Sequence, residues 1–166
     1  VVFPEGRVSP DGSLGTIGRL LEVLVRRGHV QQVIPVAFAY DPLAGRRCSV
    51  AVVVGQPIVT PDGQVTAATR EAFRRSMPVT PGQVVARHVA PGGPVPHETV
   101  FLDALAETAD RARVEGRPMV RRMRSSRGRR RALTVAMRVL ARREVSVIAR
   151  LAAEDRAIWS TDPTGG

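Results

Sequence analysis

Apolar residues follow two rhythms along this chain. Up to Ile58 they come in short runs bounded by turn residues, and beyond it they recur at intervals of three and four. Short β-branched and aromatic runs predict buried strands, whereas the longer interval predicts helices with one apolar face. "VVFP" at Val1 to Pro4 reads as a strand, and "SPDG" after it as a turn. "SLGTIGRLLEVLVRRG" then predicts a helix ended by Gly28, with Ile17, Leu20, Leu21, Leu24 and Val25 on the face that packs against a sheet. "VQQVIPVAFAYD" is a strand with Pro35 inside it, which predicts a bulge or an edge position. "CSVAVVVGQPI" is nearly continuous in apolar residues, as parallel or fully covered strands are. Strand, helix, strand and strand predict an α/β layer arrangement.

Past Ile58 the strand pattern stops. "QVTAATREAFRRSMP" predicts a helix with Ala68, Ala72 and either Phe73 or Met77 toward the protein, ended by Pro78. "TPGQVVARHVAPGG" offers Thr80 as the capping residue and Pro81 at the first helical position of a short helix. A long helix is expected from about His97 to Gly116, with Val100, Phe101, Leu105 and Ala109 near one face. After "RPMVRRMRSSRG", residues Leu133, Met137, Leu140, Val145 and Ile148 predict one bent helix or two shorter ones. The expected division is residues 1–78 as a partial α/β domain and 79–160 as a helical, arginine-rich extension.

Composition changes this picture in one respect. Of the 166 residues 43% are hydrophobic, an ordinary globular value, but the formal charge is +10 and all of the excess sits in one stretch. Residues 1–110 carry ten Arg and ten acids, and residues 111–150 carry fourteen Arg against Glu115 and Glu144. The chain contains no Lys, so the choice of Arg reflects compositional bias, yet so dense a basic surface attracts anionic lipid, phosphorylated ligands or nucleic acid. No signal peptide or membrane-spanning run is expected, which places the chain in the cytoplasm.

Candidate chemistry is sparse. The single Cys48 has no cysteine partner, and His29, His88 and His97 lack ligand spacing, so no metal and no cofactor are expected. The densest local signal is Glu5, Gly6 and Arg7. Gly6 lets the backbone turn tightly against a ligand, Arg7 offers a planar fork of donors to a phosphate or carboxylate, and Glu5 orients that arginine or a substrate hydroxyl. The alternative is a solvated surface pair at a strand end.

These residues carry a family likeness. "VVFPEGRVSPDG", followed some twenty residues later by "VIPVAFAY", resembles the third and fourth blocks of the glycerolipid acyltransferase superfamily, which acylates glycerol-3-phosphate and 1-acylglycerol-3-phosphate. The helix between them and the later "VVVGQPI" resemble the family pattern as well, so the likeness covers roughly residues 1–60. The usual Thr-Arg after FPEG is here Arg7-Val8, a variant similar to the branch that includes acylglycerophosphoethanolamine acyltransferases. The family's catalytic unit, a histidine followed after four residues by an aspartate, has no counterpart: Ile34, Gly93 and Leu102 stand five positions after His29, His88 and His97. His97 with Asp103 is one residue too long.

The resemblance therefore implies the C-terminal part of a layered mixed sheet with flanking helices, followed by a helical extension, within a larger enzyme whose His and Asp lie upstream. The implied activity is transfer of a fatty acyl group from acyl-CoA or acyl carrier protein to a glycerol phosphate or lysophospholipid, in phospholipid biosynthesis. Glu5, Gly6 and Arg7 would position the phosphate, and the chain as given would be inactive. The arginine-rich stretch would face an anionic membrane surface, giving peripheral association with the inner face of the cell membrane. A nucleic-acid-binding module on the basic helices and a non-catalytic acyltransferase homologue are the rival readings. No nucleic acid is expected, because Tyr40 and Trp159 lie outside the basic run and no stacking motif is present.

Overall fold

The computed structural model describes residues 19–28, 30, 32–45, 47–59, 65–89, 95–140 and 145–159. They form a mixed α/β domain in which two small antiparallel sheets are flanked by six helices. The predicted first strand, Val1 to Pro4, lies outside the described residues, as does the start of the first helix. Helix α1 (Leu20–Arg26) buries Leu21 and points Leu20 outward, so its packed face is narrower than the periodicity suggests.

The strands make one interrupted hairpin. β1 (Gln32–Val33) pairs with β4 (Ile58–Val59), and β2 (Val36–Asp41) pairs with β3 (Ser49–Val54), both antiparallel. Between the two pairs, Ile34 and Pro35 stand opposite Gly55, Gln56 and Pro57, so the register slips by one residue at the proline. The Gly55 amide donates to the Pro35 carbonyl at 2.8 Å, holding the bulge. A side chain at Gly55 would run into Ser76 of α2 (Val65–Ser76) and the Pro35 ring, and its absence lets helix and ribbon meet. α2 buries Val65, Thr69 and Ser76, while Ala68, Ala72 and Phe73 are only half covered.

The β2–β3 pair departs from the covered parallel strand that its apolar run suggests. On its inward face β2 contributes small residues and one acid, Ala37, Ala39 and Asp41, opposite the half-buried Val53 and Ala51 of β3. The outward face carries three stacked cross-strand pairs, Val36 with Val54, Phe38 with Val52 and Tyr40 with Val50. All six of these side chains are exposed, Phe38 by 54% and Val54 by 66%. Apolar continuity came from two faces that are both non-polar, only one of which the described residues cover.

The main core lies among the helices. α3 (Pro81–His88) is its axis, burying every residue from Pro81 to Ala86 against α4 (Glu98–Val114), α5 (Ser126–Leu140) and α6 (Val145–Trp159). Thr80 caps α3 in a reciprocal box: its hydroxyl accepts from the Gln83 amide and the Gln83 side chain accepts from the Thr80 amide. Phe101, Leu105, Ala109, Leu133, Leu140, Leu151 and Ile158 fill the space around it, joined by Leu43 from the hairpin loop and Met123 from the 3-10 turn Arg121–Arg124. Val100, expected on the packed face of α4, is 44% exposed.

Candidate functional site

Glu5, Gly6 and Arg7 lie outside the described residues, so no geometry bears on the phosphate-binding role expected of them. The other two segments of the resemblance are described and lie side by side. "VIPVAFAY" supplies β2 and "VVVGQPI" runs from β3 through the bulge into β4. Beside that bulge Gln56 and Pro57 line an open groove of about 620 Å³, together with Glu71, Arg75 and Arg117. Glu71 accepts from Arg74 at 2.8 Å and from Arg75 at 2.6 Å, and these bonds, Arg74 first, hold its carboxyl down to about 2.

Two buried polar junctions join the hairpin and the helices. At the end of β2, Asp41 is 3% exposed and accepts from the Leu43 amide at 3.0 Å and the Gly82 amide at 3.1 Å. A side chain at residue 82 would strike the Asp41 carboxylate, so Gly82 admits the acid to the helix start. Burial pushes the Asp41 carboxyl up, against the opposing pull of those amides, the Thr80 hydroxyl and Arg122. A cavity of about 200 Å³ opens beside it, between Ala39, Thr80 and Arg122.

The second junction ties α3 to α6. The Gln83 side-chain amide donates to Glu154 at 3.3 Å, and Arg87 donates to Asp155 at 3.0 Å and to Thr108 of α4 at 3.2 Å. Asp155 is 1% exposed, and among the described residues its second oxygen has no hydrogen-bond partner, nor have Nε2 of His88 and the indole nitrogen of Trp159. Burial raises both Glu154 and Asp155, while burial and then the Arg87 charge lower His88. The junction's carboxylates are buried and matched by the partly exposed Arg87 and Arg150, so its chemistry is that of a clamp between helices. His97 likewise serves a structural end, its ring nitrogen accepting from the Thr99 amide at the start of α4. Cys48 is exposed, and its thiol donates to the Ser49 carbonyl at 3.6 Å.

The basic stretch divides into two parts that composition alone does not separate. Arg111 and Arg117 both bridge to Glu115 and stack on Trp159, with guanidinium carbons 4.2 and 5.1 Å from the ring centre, and Arg113 pairs with Asp110. The Arg117 side chain is 6% exposed and also donates to the Arg74 carbonyl, so it belongs to the packing and not to a free basic face. Beyond it Arg121, Arg122, Arg124, Arg127, Arg130, Arg131 and Arg138 are exposed, while Arg129 is half-buried. Among the described residues no ion pair forms to Arg121, Arg124, Arg127, Arg130, Arg131 or Arg138.

Among the described residues no cluster of His, Cys, Asp and Glu has the makings of a metal site, and no helix is long and apolar enough to cross a membrane. Comparison with protein families, with curated proteins and with solved structures returned no match for this chain.

Proposed function

We propose that this chain is part of a glycerolipid acyltransferase that moves a fatty acyl group from acyl-CoA or acyl carrier protein to the hydroxyl of a glycerol phosphate or lysophospholipid. One observation carries the proposal: FPEG at Phe3 to Gly6 and the "VIPV" run at Val33 to Val36 stand in the family's order and at its spacing. Arg7 would grip the acceptor phosphate with a two-bond fork, Gly6 would let the backbone approach it, and Glu5 would orient the guanidinium or the attacking hydroxyl. A histidine held by a carboxylate, contributed from outside this chain, would take the hydroxyl proton during attack on the thioester. The hairpin is a piece of the catalytic domain's layered sheet in this proposal. Its bare outward face of Val36, Phe38, Tyr40, Val50, Val52 and Val54 is the face that the rest of that domain covers.

The test is acyl transfer by the intact parent polypeptide, with glycerol 3-phosphate and lysophospholipids as acceptors. Arg7→Lys and Arg7→Ala are expected to raise the acceptor KM, or to lower kcat/KM by about 10- to 1000-fold if the same contact aligns the hydroxyl, with the donor KM little moved. Unchanged acceptor kinetics in a folded Arg7→Ala protein would return Glu5 and Arg7 to a surface pair.

A further inference from the structure

α5 places its charge with regularity. Ala132, Leu133, Ala136 and Leu140 face the core, and Arg127, Arg130, Arg131 and Arg138 fall on the opposite side, all exposed. There is no acid anywhere in α5. Arginines crowded into the first turns of a helix oppose its own dipole, so helix stability does not account for this arrangement. Where the stripe meets α4, a groove of about 440 Å³ opens between the helices. Leu102 and Ala106 form its floor, and Ser126, Arg127, Arg129 and Arg130 form its rim. Arg129 is held in place by a bond from one terminal nitrogen to the Met123 carbonyl at 3.0 Å, which leaves its other nitrogens free to donate. None of the α4 acids Glu98, Asp103, Glu107 and Asp110 forms an ion pair with these arginines.

We infer that the α4–α5 groove is a phosphate headgroup site through which the molecule docks on an anionic lipid surface. Charge fixes the sign of the ligand, since three guanidinium groups and a hydroxyl converge on one opening with no carboxylate to neutralise them. The floor fixes its kind. Two half-buried apolar side chains beside three guanidinium groups match a phosphate joined to hydrocarbon better than the sugar-phosphate backbone of a nucleic acid. No aromatic residue lines the groove for a base to stack on. The site is built wholly from described residues and stands apart from the acyl-transfer proposal, because vesicle binding is measured without turnover.

The experiment is sedimentation of the 166-residue chain with phosphatidylcholine vesicles, with and without phosphatidic acid. Binding is expected only with the anionic lipid and should weaken as salt rises. Arg127→Gln with Arg130→Gln should reduce it roughly 10- to 30-fold, at about 1 kcal/mol per charge near the surface. Arg26→Gln with Arg27→Gln, the same loss of charge on α1, should change it less than threefold. Ala106→Glu, which sets an acid on the floor, should reduce it as strongly as the first pair while circular dichroism shows the fold intact. Glycerol 3-phosphate tested alone separates the sources of phosphate: weak binding that needs the same arginines supports a headgroup site. Binding as tight as that of the vesicles would overturn the lipid assignment in favour of a soluble phosphate ester. Equal loss from the two double variants, or tighter binding to a DNA duplex through the same arginines, would also overturn it.

Discussion

Arg87 joins α3, α4 and α6 through Asp155 and Thr108. Removing it leaves the Asp155 carboxylate buried with no countercharge, so Arg87→Ala is expected to lower unfolding stability by about 3 kcal/mol. Arg87→Met combined with Asp155→Leu should cost much less, since no charge then stays behind, and urea unfolding of both variants checks this. The same junction has opposing pH responses. Asp155 has a raised carboxyl pKa, so the native state takes up its proton first and its contribution to stability grows as pH falls through that raised value. His88 has a lowered pKa, so the unfolded state takes up the proton first and stability is lost as pH falls through the ordinary histidine range. His88→Gln should therefore reduce the loss of stability between pH 7.5 and about 5, and Asp155→Asn should remove the gain that acid brings as the raised Asp155 carboxyl takes up its proton. These residues were not legible as a unit in the sequence. Gln83, Arg87, Thr108 and Asp155 meet only through helix packing, and no local spacing signals a contact across so much chain.

At the scale of elements, helices were read more securely than strands. Thr80 and Pro81 announce the start of α3, and the apolar interval places α4 and α5 with Phe101, Leu105, Ala109, Leu133 and Leu140 in the core, because capping and periodicity are local properties. β2 misleads for a physical reason. Its larger apolar residues, Val36, Phe38 and Tyr40, point outward, and its buried positions are Ala37, Ala39 and Asp41, so size and hydrophobicity fail to mark the packed face. Phe38→Thr with Val52→Thr, a directly opposed pair, should accordingly change the chain's stability by no more than about 0.5 kcal/mol per site and reduce its self-association. Ala39→Leu, on the packed side, should destabilise by about 1–3 kcal/mol through overpacking. Urea midpoints and light scattering distinguish the faces, and a large loss from the threonine pair would show that the outward face is covered within this chain.

Over the whole molecule, charge and fold are arranged independently. Arg111 and Arg117, near Glu115 and Trp159, are absorbed into packing, while Arg127, Arg130, Arg131 and Arg138 of α5 face solvent. Sequence counting located the basic stretch but not this division, which depends on where Glu115 and the end of α6 lie in space. Of the expected site, Glu5, Gly6 and Arg7 lie outside the described residues, the two later segments "VIPVAFAY" and "VVVGQPI" pair as neighbours, and no histidine in the sequence is followed after four residues by an aspartate. The 166 residues alone are expected to show no acyl transfer, because the His and Asp unit that the resemblance implies does not occur in them.

The most direct measurement is transfer of a labelled acyl group by the intact parent protein to glycerol 3-phosphate and to lysophospholipids, with wild-type and Arg7→Ala forms compared across acceptor concentration. The account predicts a labelled phospholipid product, an acceptor KM raised by Arg7→Ala and a donor KM left nearly unchanged. A folded parent that acylates none of these acceptors, or an Arg7→Ala form with wild-type acceptor kinetics, would contradict it.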